Sequence, residues 1–260
     1  MRSILVLADS SPSMDPRLET ALSLARVNSG HVTVLVDTPI SRYVSMDPMG
    51  VSYVASDAME AAVADDNAHG KAIDAQLARQ DVVFNIMRSE ADPLDALVSA
   101  SRLADVTILS RSNALAGELA LAIHTPVLVL PDAGELRFPL GSAAIAWDGG
   151  REAADALRAA VPLLAGCPSV HVLTIKDHPA EFPGTDAVRY LSRHGLCAEV
   201  TEIKRERSTE ETIARAVAEL HSDVLVMGAY SKGRMREYLF GGVTRYFLEE
   251  TARPALFLAH

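Results

Sequence analysis

The stretch SILVLADSSPSMDPRLETALSLARVNSGHVTVLV, residues 3–36, decides the fold of this 260-residue chain. It begins with a short apolar run at 3–8 and ends with a second at 31–36. Between the two runs, apolar residues recur at helical spacing from Leu18 to Ala25. This order predicts a strand, a helix and a second strand, and such units build parallel sheets with right-handed connections.

The alternation of strands and helices continues to residue 130. An alanine-rich helix is predicted over 56–80 and a strand over 82–87. Asp92 followed by Pro93 is typical of a capped helix start, here for a helix reaching about residue 104. The apolar runs VTILS and TPVLVL then follow. Such strands, apolar on both faces, indicate an α/β fold with a parallel sheet between two layers of helices.

The pattern restarts after a linker rich in proline, glycine and charge. AAIAWD at 143–148 corresponds to ILVLAD at 4–9, and SDVLVMG at 222–228 corresponds to ADVTILS at 104–110. A capping box, Ser208-x-x-Glu211, predicts a helix to about residue 220. A repeat this long predicts two copies of one domain. The predicted domains are residues 1–132 and 142–260, and the linker is 133–141.

The two copies differ in length at two places. The segment 9–105 spans 96 residues, whereas its counterpart 148–223 spans 75, so the second copy should have lost most of the long helix after its second strand. Conversely, 105–126 spans 21 residues and 223–254 spans 31. The second copy therefore has ten extra residues after its fourth strand, where its glycine-rich segment lies.

Composition excludes several classes of protein. The net charge of -10 opposes binding to nucleic acids and to anionic membranes. Two cysteines without metal-ligand spacing predict neither a disulfide framework nor a zinc site. The sequence has no apolar run long enough to suggest a membrane span, so we expect a cytoplasmic protein. No HExxH, Gly-x-Ser-x-Gly or serine beside an evident base is found, which argues against an enzyme without settling the question.

The glycine-rich segment invites comparison with a phosphate-binding P-loop. Gly228-x-x-x-x-Gly233 is followed by Arg234 and Met235, but a P-loop needs lysine and then serine or threonine to bind phosphate and magnesium. Methionine is no ligand for a hard cation, so the P-loop is rejected. The dinucleotide pattern Gly-x-Gly-x-x-Gly is absent after both first strands.

A second glycine pair, Gly241-Gly242, opens a helical pattern. Free N–H groups at a helix N-terminus favour a phosphate, and glycine lets the backbone come close to it. Basic residues surround the pair, at Lys232, Arg234, Arg236 and Arg245. The alternative is a tight turn before a helix, with a solvated basic loop.

Over nearly the whole chain, the sequence resembles the universal stress protein (UspA-like) family as a tandem member. AWDGGREAADALRAAVPLL at 146–164 is similar to the family's first strand and helix, with Asp148 at its aspartate position. MGAYS, nine residues and GGVT match the spacing of the family's Gly-x-x-Gly-x9-Gly-Ser/Thr signature. Ser231 stands where the family has glycine, and Gly242 where it has serine or threonine. The resemblance implies two tandem, doubly wound, five-stranded parallel-sheet domains of the Rossmann-like, adenine nucleotide alpha-hydrolase-like type.

The same resemblance implies an adenine-nucleotide site in the C-terminal domain, for ATP or AMP, with Mg²⁺ bound only alongside the nucleotide. By analogy, the base would contact the first two strands, the ribose the fourth and the phosphates the helix start. The implied residues are Ala146, Asp148, Ile175, Met227, Gly228, Ser231, Gly241, Gly242, Val243 and Thr244. For Asp148, a helix N-cap before Arg151 is the alternative. A nucleotide-free interaction scaffold and a slow ATP hydrolase are the alternative functions.

The first copy keeps Asp9 but lacks the glycine pair and the ten residues around it. The N-terminal domain should therefore not bind a nucleotide in the family manner. The resemblance implies instead that it pairs with the C-terminal domain through the last strand of each, TPVLVLP and RPALFLAH. Whether the chain also forms a homodimer is left open by the sequence.

Overall fold

A computed structural model of the chain describes residues 1–9, 11–37, 44–46, 52–54, 56–176, 182–205, 207–229, 242–249 and 254–260. The N-terminal half contains β1 (Ser3–Ala8), α1 (Met14–Asn28), β2 (His31–Asp37), β3 (Val44–Met46), β4 (Ser52–Val54), α2 (Ser56–Leu77), β5 (Val83–Ser89), α3 (Pro93–Ala100), β6 (Val106–Ser110), α4 (Leu115–Ala122) and β7 (Val127–Leu130). The C-terminal half contains β8 (Ala143–Ala146), α5 (Arg151–Ala160), β9 (Val170–Ile175), α6 (Gly184–Arg193), β10 (Ala198–Ile203), α7 (Thr209–Glu219), β11 (Val224–Gly228), α8 (Gly242–Glu249) and β12 (Ala255–Ala259).

The halves share one ten-stranded sheet in the order β10-β9-β8-β11-β12-β7-β6-β1-β2-β5. Neighbouring strands are parallel throughout, except that β12 and β7 pair antiparallel, with Phe257 opposite Leu128. Each half contributes five strands to this sheet, since β3 and β4 form a separate pair. Counted in chain order, the five strands of each half lie outward from the junction as fifth, fourth, first, second and third. The doubly wound α/β class expected from the sequence is confirmed, and the strands at the junction are the two that the resemblance singled out.

Helices cover both faces of the sheet. Apolar residues of α1, α2, α5 and α6 pack in one buried cluster, and those of α3, α4, α7 and α8 pack in another on the opposite face. Strands between two such layers must be apolar on both sides, which explains runs such as SILVLA. Within the described residues, no helix is long and apolar enough to cross a bilayer.

Two predicted helix starts are confirmed by their caps. Asp92 accepts a hydrogen bond from the Leu94 N–H at 3.2 Å, with Pro93 in the first turn of α3. Ser208 and Glu211 form the reciprocal capping box of α7. These side chains satisfy backbone donors that a helix leaves unpaired at its N-terminus.

An aspartate before the fourth strand of each half fixes the start of the first strand. Asp105 accepts hydrogen bonds from the N–H groups of Arg2 and Ser3. Asp223 does the same for Gly141, at 2.8 Å, and Ser142, at 3.2 Å. The same two-bond clamp therefore occurs at the same place in both halves.

The halves differ in their connection from second to third strand. In the N-terminal half it contains the β3–β4 hairpin, which the sequence did not predict, and the 22-residue α2. In the C-terminal half it contains the 10-residue α6. Of the 22 residues of α2, only 10 have a counterpart in the length of α6, in agreement with the predicted loss of most of this helix.

Candidate functional site

The first part of the site lies at the carboxyl ends of three adjacent strands. β8 is hydrogen-bonded to β9 on one side and to β11 on the other, all parallel. Ala146, Ile175 and Met227 therefore lie near the same edge of the sheet, each packed with the cluster that contains α7 and α8. Ligands of open α/β sheets bind beyond this edge. The structure brings together the side chains that the resemblance assigned to the base and the ribose.

Asp148 follows β8 at this edge and is exposed. Its Oδ1 accepts a hydrogen bond from the Gly150 N–H at 2.8 Å, across a turn in which Gly149 has a φ of 76°. The N-cap residue of α5 is Gly150, so no side chain caps this helix. Asp148 thus holds the turn before the helix without capping the helix itself. Among the described residues, no basic side chain forms an ion pair with its carboxylate.

Gly228, at the end of β11, lets α5 approach the sheet closely. A Cβ atom built on Gly228 would lie 2.6 Å from the carbonyl carbon of Glu152 and 2.9 Å from the Ala153 nitrogen. Real Cβ atoms do not approach backbone so closely, so a side chain would push α5 outward. Gly228 is therefore required by the close packing of α5 on β11.

The phosphate-binding part of the predicted site is only partly within the described residues. Gly242 is the first residue of α8 and is exposed, and a Cβ built on it meets no atom of the described residues within 4 Å. Val243 is half-buried, whereas Thr244 is only 4% exposed. Of these three residues, Gly242 is the most accessible to a ligand. Ser231 and Gly241, together with Lys232, Arg234 and Arg236, lie outside the described residues.

Arg245, the remaining basic residue of this group, is already paired. Its Nε donates to Oε1 of Glu249 at 2.6 Å, one turn further along α8. The pair raises the Arg245 pKa above its ordinary value, through the hydrogen bond and then the charge of Glu249. Both side chains are exposed, so the ion pair is weak and another anion can compete for Arg245.

The N-terminal half fills the corresponding place with its own side chains. Asp9 follows β1 as Asp148 follows β8, and Ser110 ends β6 as Gly228 ends β11. The Arg17 guanidinium, 1% exposed, donates to Oδ1 of Asp9 at 2.7 Å and to Oγ of Ser110 at 2.8 Å. The Asp9 carboxylate, at the family's aspartate position, is thus already bound by a basic side chain of the same half.

The ion pair determines the charge state of Asp9. Burial of the carboxyl acts to raise its pKa, but the hydrogen bonds from Arg17 and Ser11 and the charge of Arg17 outweigh burial. The pKa of Asp9 is therefore below its ordinary value. Sequence reasoning missed Arg17, because a single arginine among the apolar positions of α1 looks like a residue on the helix surface.

The junction of the two halves holds a pair of histidines. The His260 ring, after β12, lies 5.4 Å from the His124 ring, measured between centroids. Burial and then the nearby His124 lower the His260 pKa, opposed by a hydrogen bond with the Ala120 backbone and by the carboxylates of Asp155 and Glu152. The junction therefore disfavours a protonated His260.

The fold and the site define a class: doubly wound α/β proteins with a ligand edge at the carboxyl ends of parallel strands and a helix N-terminus beside it. Residues 143–258 match the Universal stress protein family. The match covers the C-terminal half, from β8 into β12. No curated protein matches the chain in sequence.

Solved structures share the fold over almost the whole chain. A universal stress protein from Archaeoglobus fulgidus aligns with a TM-score of 0.66 and 13% identity, covering 99% of this chain and 96% of that one. A functionally unknown protein from Pseudomonas aeruginosa PAO1 aligns with a TM-score of 0.60 and 18% identity, covering 100% of this chain and 92% of that one. A putative universal stress protein from P. aeruginosa UCBPP-PA14 aligns with a TM-score of 0.58 and 17% identity, covering 100% of this chain and 93% of that one. The two-half architecture is therefore similar to that of full-length chains in these organisms.

Proposed function

We propose that this chain is a universal stress protein and acts in the cytoplasm as a stress-response module. Its C-terminal domain, residues 142–260, binds an adenine nucleotide, ATP or AMP. The base and ribose lie against the carboxyl ends of β8, β9 and β11, and the phosphates lie at the start of α8. The N-terminal domain, residues 1–132, binds no nucleotide and supports the other domain through the β7–β12 junction. Mg²⁺ enters only with the nucleotide's phosphates.

The observation that carries the proposal is the difference between two equivalent aspartates. Asp9 is held by the buried Arg17, whereas the Asp148 carboxylate is exposed and accepts one described hydrogen bond, from a backbone N–H. A carboxylate is a natural acceptor for the hydroxyl groups of a ribose. The contrast supports a ligand for the C-terminal half and a self-filled site in the N-terminal half.

The residues present also fit the phosphates. Gly242 puts an open backbone at the N-terminus of an eight-residue helix, where the helix dipole favours an anion. Within the described part of the chain, no atom lies within 4 Å of a Cβ at this position, which supports room for phosphate oxygens.

Thermal unfolding with increasing ATP or AMP, with and without Mg²⁺, tests the proposal. Ligand at one hundred times its Kd stabilises a protein by about 2.7 kcal/mol, so binding should raise Tm measurably. If neither nucleotide at millimolar concentration raises Tm, and denatured protein releases no nucleotide, the interaction-scaffold alternative replaces the proposal. Phosphate release from ATP by the wild type, absent from a non-binding variant, would instead identify the slow hydrolase.

Two substitutions at Gly242 make the test specific. Gly242→Ser adds the hydroxyl donor that the family signature has and should tighten ATP binding by several-fold, since such a hydrogen bond is worth about 1 kcal/mol. Gly242→Asp places a negative charge at the same point and should abolish binding. A carboxylate at a helix N-terminus is favourable for the helix itself, so lost binding could not be attributed to a destabilised α8. Equal affinity in all three proteins would exclude this phosphate position.

A further inference from the structure

A serine, a histidine and a glutamate lie in series, in polar contact with one another, on one face of the outer strands of the C-terminal half. Oγ of Ser169, just before β9, lies 2.9 Å from Nε2 of His171. Nδ1 of the same ring lies 3.0 Å from Oε1 of Glu199. Alternate residues of a strand share a face, and the parallel register places Glu199 beside His171. Local strand geometry is therefore sufficient to assemble all three groups.

The order of the contacts sets the proton positions. The negative charge of Glu199, 3.0 Å from Nδ1, favours a proton on that nitrogen, and the lone pair of Nε2 is then left to accept the hydroxyl proton of Ser169. The His171 side chain is 11% exposed, so its orientation is fixed by its surroundings, and Thr201 Oγ1 lies 3.4 Å from Nδ1. A nucleophile, a base and a carboxylate that orients the base are the parts of a serine hydrolase triad. We propose that Ser169 is an activated nucleophile and that this cluster hydrolyses small acyl esters.

The N-terminal half shows that the fold does not need these residues. The corresponding positions on β2 and β5 are Thr33 and Asn85, which pair in the sheet and share a hydrogen bond of 2.8 Å. A threonine and an asparagine hold the strands together there without any base. Strand pairing at this position therefore does not require the histidine and carboxylate of the C-terminal half.

The cluster is separate from the proposed nucleotide site. Ser169 lies at the amino end of β9, and the nucleotide edge is at the carboxyl end of that strand, six residues on. At about 3.3 Å per residue, the two sites are about 20 Å apart. Either function can therefore fail in an experiment without the other.

The geometry suggests a substrate class. The Glu199 side chain is 70% exposed and Ser169 is half-buried, so both ends of the series reach the surface beside the sheet edge. An open site suits short acyl groups with good leaving groups. Ser169 Oγ bonds to the ester carbonyl carbon while its proton passes to Nε2 of His171, and that proton leaves with the departing alcohol as the ester C–O bond breaks. Water then attacks the acyl-serine, giving the carboxylic acid and restoring the hydroxyl.

Hydrolysis of p-nitrophenyl acetate by the full-length protein is the direct test. His171→Gln should lower the rate by about 100-fold or more, since general-base catalysis contributes about 100- to 10,000-fold. Ser169→Ala removes the nucleophile and should lower the rate at least as much. Glu199→Gln, which removes a positioning residue, should lower it less and change its pH profile. Ser142→Ala is the matched control, because Ser142 precedes β8 as Ser169 precedes β9, and its Oγ bonds to a carbonyl and another serine. This control should keep the wild-type rate.

Labelling of the wild type with a fluorophosphonate locates the nucleophile without depending on the fold of any variant. Peptide mass analysis should find the phosphonyl group on Ser169, and prior incubation with p-nitrophenyl acetate should slow its addition. Label on another residue, or no label, would overturn the proposal. A Ser169→Ala protein with wild-type Tm and an unchanged rate would also overturn it.

Discussion

The Arg17 guanidinium lies 2.7 Å from the Asp9 carboxylate, and the two residues join the first helix of the protein to the end of its first strand. Arg17 is 1% exposed and the Asp9 side chain 29%, so the cation is removed from water and the anion only in part. A charge this deeply buried depends on its partner, since water does not replace a lost ion pair. The contact is therefore an element of stability as well as the group that fills the N-terminal site.

Asp9→Asn should destabilise the protein at pH 7. The substitution keeps a hydrogen-bond acceptor but removes the charge opposite Arg17, and we expect the free energy of unfolding to fall by about 1–3 kcal/mol. Urea unfolding measures the difference. Asp186→Asn is the control: Asp186 pairs with Arg189 on the surface of α6, and its loss should cost less than about 1 kcal/mol. Equal decreases in the unfolding free energy for the two substitutions would show that the Asp9–Arg17 pair stabilises the protein no more than a surface ion pair.

The contribution of Asp9 should depend on pH in a defined direction. Because its pKa is lower in the folded than in the unfolded protein, stability is gained above the ordinary aspartate pKa of about 3.9. That stability is lost as the pH falls from about 4 through the folded value. The unfolding free energy of Asp9→Asn should thus converge on that of the wild type in acid. A constant gap between pH 7 and pH 3 would contradict this assignment.

Gly228→Ala should be destabilising, whereas Gly242→Ala should not. An alanine Cβ at position 228 would overlap the α5 backbone, and overpacking of this kind costs about 1–3 kcal/mol. At position 242 the same methyl group meets none of the described atoms within 4 Å, and alanine is favoured over glycine in a helix. Chemical unfolding of the two variants compares the same change at two sites. Similar unfolding free energies would contradict the close packing of α5 on β11.

Asp105→Ala and Asp223→Ala should have similar effects. Each aspartate accepts two backbone N–H groups at the start of the first strand of its half. Losing the acceptor should cost about 1–3 kcal/mol, because the donors are left poorly satisfied. Hydrogen exchange of the N–H groups of Ser3 and Ser142 reports each clamp locally. Faster exchange in only one variant would show that the clamps are not equivalent.

The His124–His260 pair should make the protein less stable in mild acid. The His260 pKa is lowered in the folded protein, by burial and then by His124, so the unfolded chain binds the proton more readily. Stability should be complete above the ordinary histidine pKa of about 6.5 and decrease as the pH falls through it. His260→Gln and His124→Gln should each reduce the loss of stability between pH 7.5 and 5. A wild-type pH dependence in both variants would contradict the role of the pair.

Much of the fold could be predicted because local patterns agree with the tertiary structure. The apolar run at β1, the proline start of α3 and the Ser208–Glu211 capping box each depend on neighbouring residues, and each is found. The β3–β4 hairpin lies between elements and carries no clear strand period. The pairs Arg17–Asp9 and His171–Glu199 were missed because their partners are 8 and 28 residues apart in sequence, joined by helix packing and strand register.

The sequence predicts where some of the candidate site residues lie in the fold, but not all of their contacts. The spacing from MGAYS to GGVT placed Gly242 at a helix start, and α8 begins there. The sequence could not show that Gly228 faces the α5 backbone or that Arg245 is paired with Glu249. The first contact depends on how α5 is placed against β11, and the second on the rotamers of Arg245 and Glu249. Neither can be predicted from the spacing of residues in the sequence.

The antiparallel pairing of β12 with β7 joins two halves that also share a covalent linker. An association between separate subunits weakens on dilution by mass action, but one within a single chain does not. The C-terminal half therefore meets the same partner at every expression level. It is also protected from exchanging that partner for a related subunit, so the composition of the assembly is fixed when the chain is synthesised.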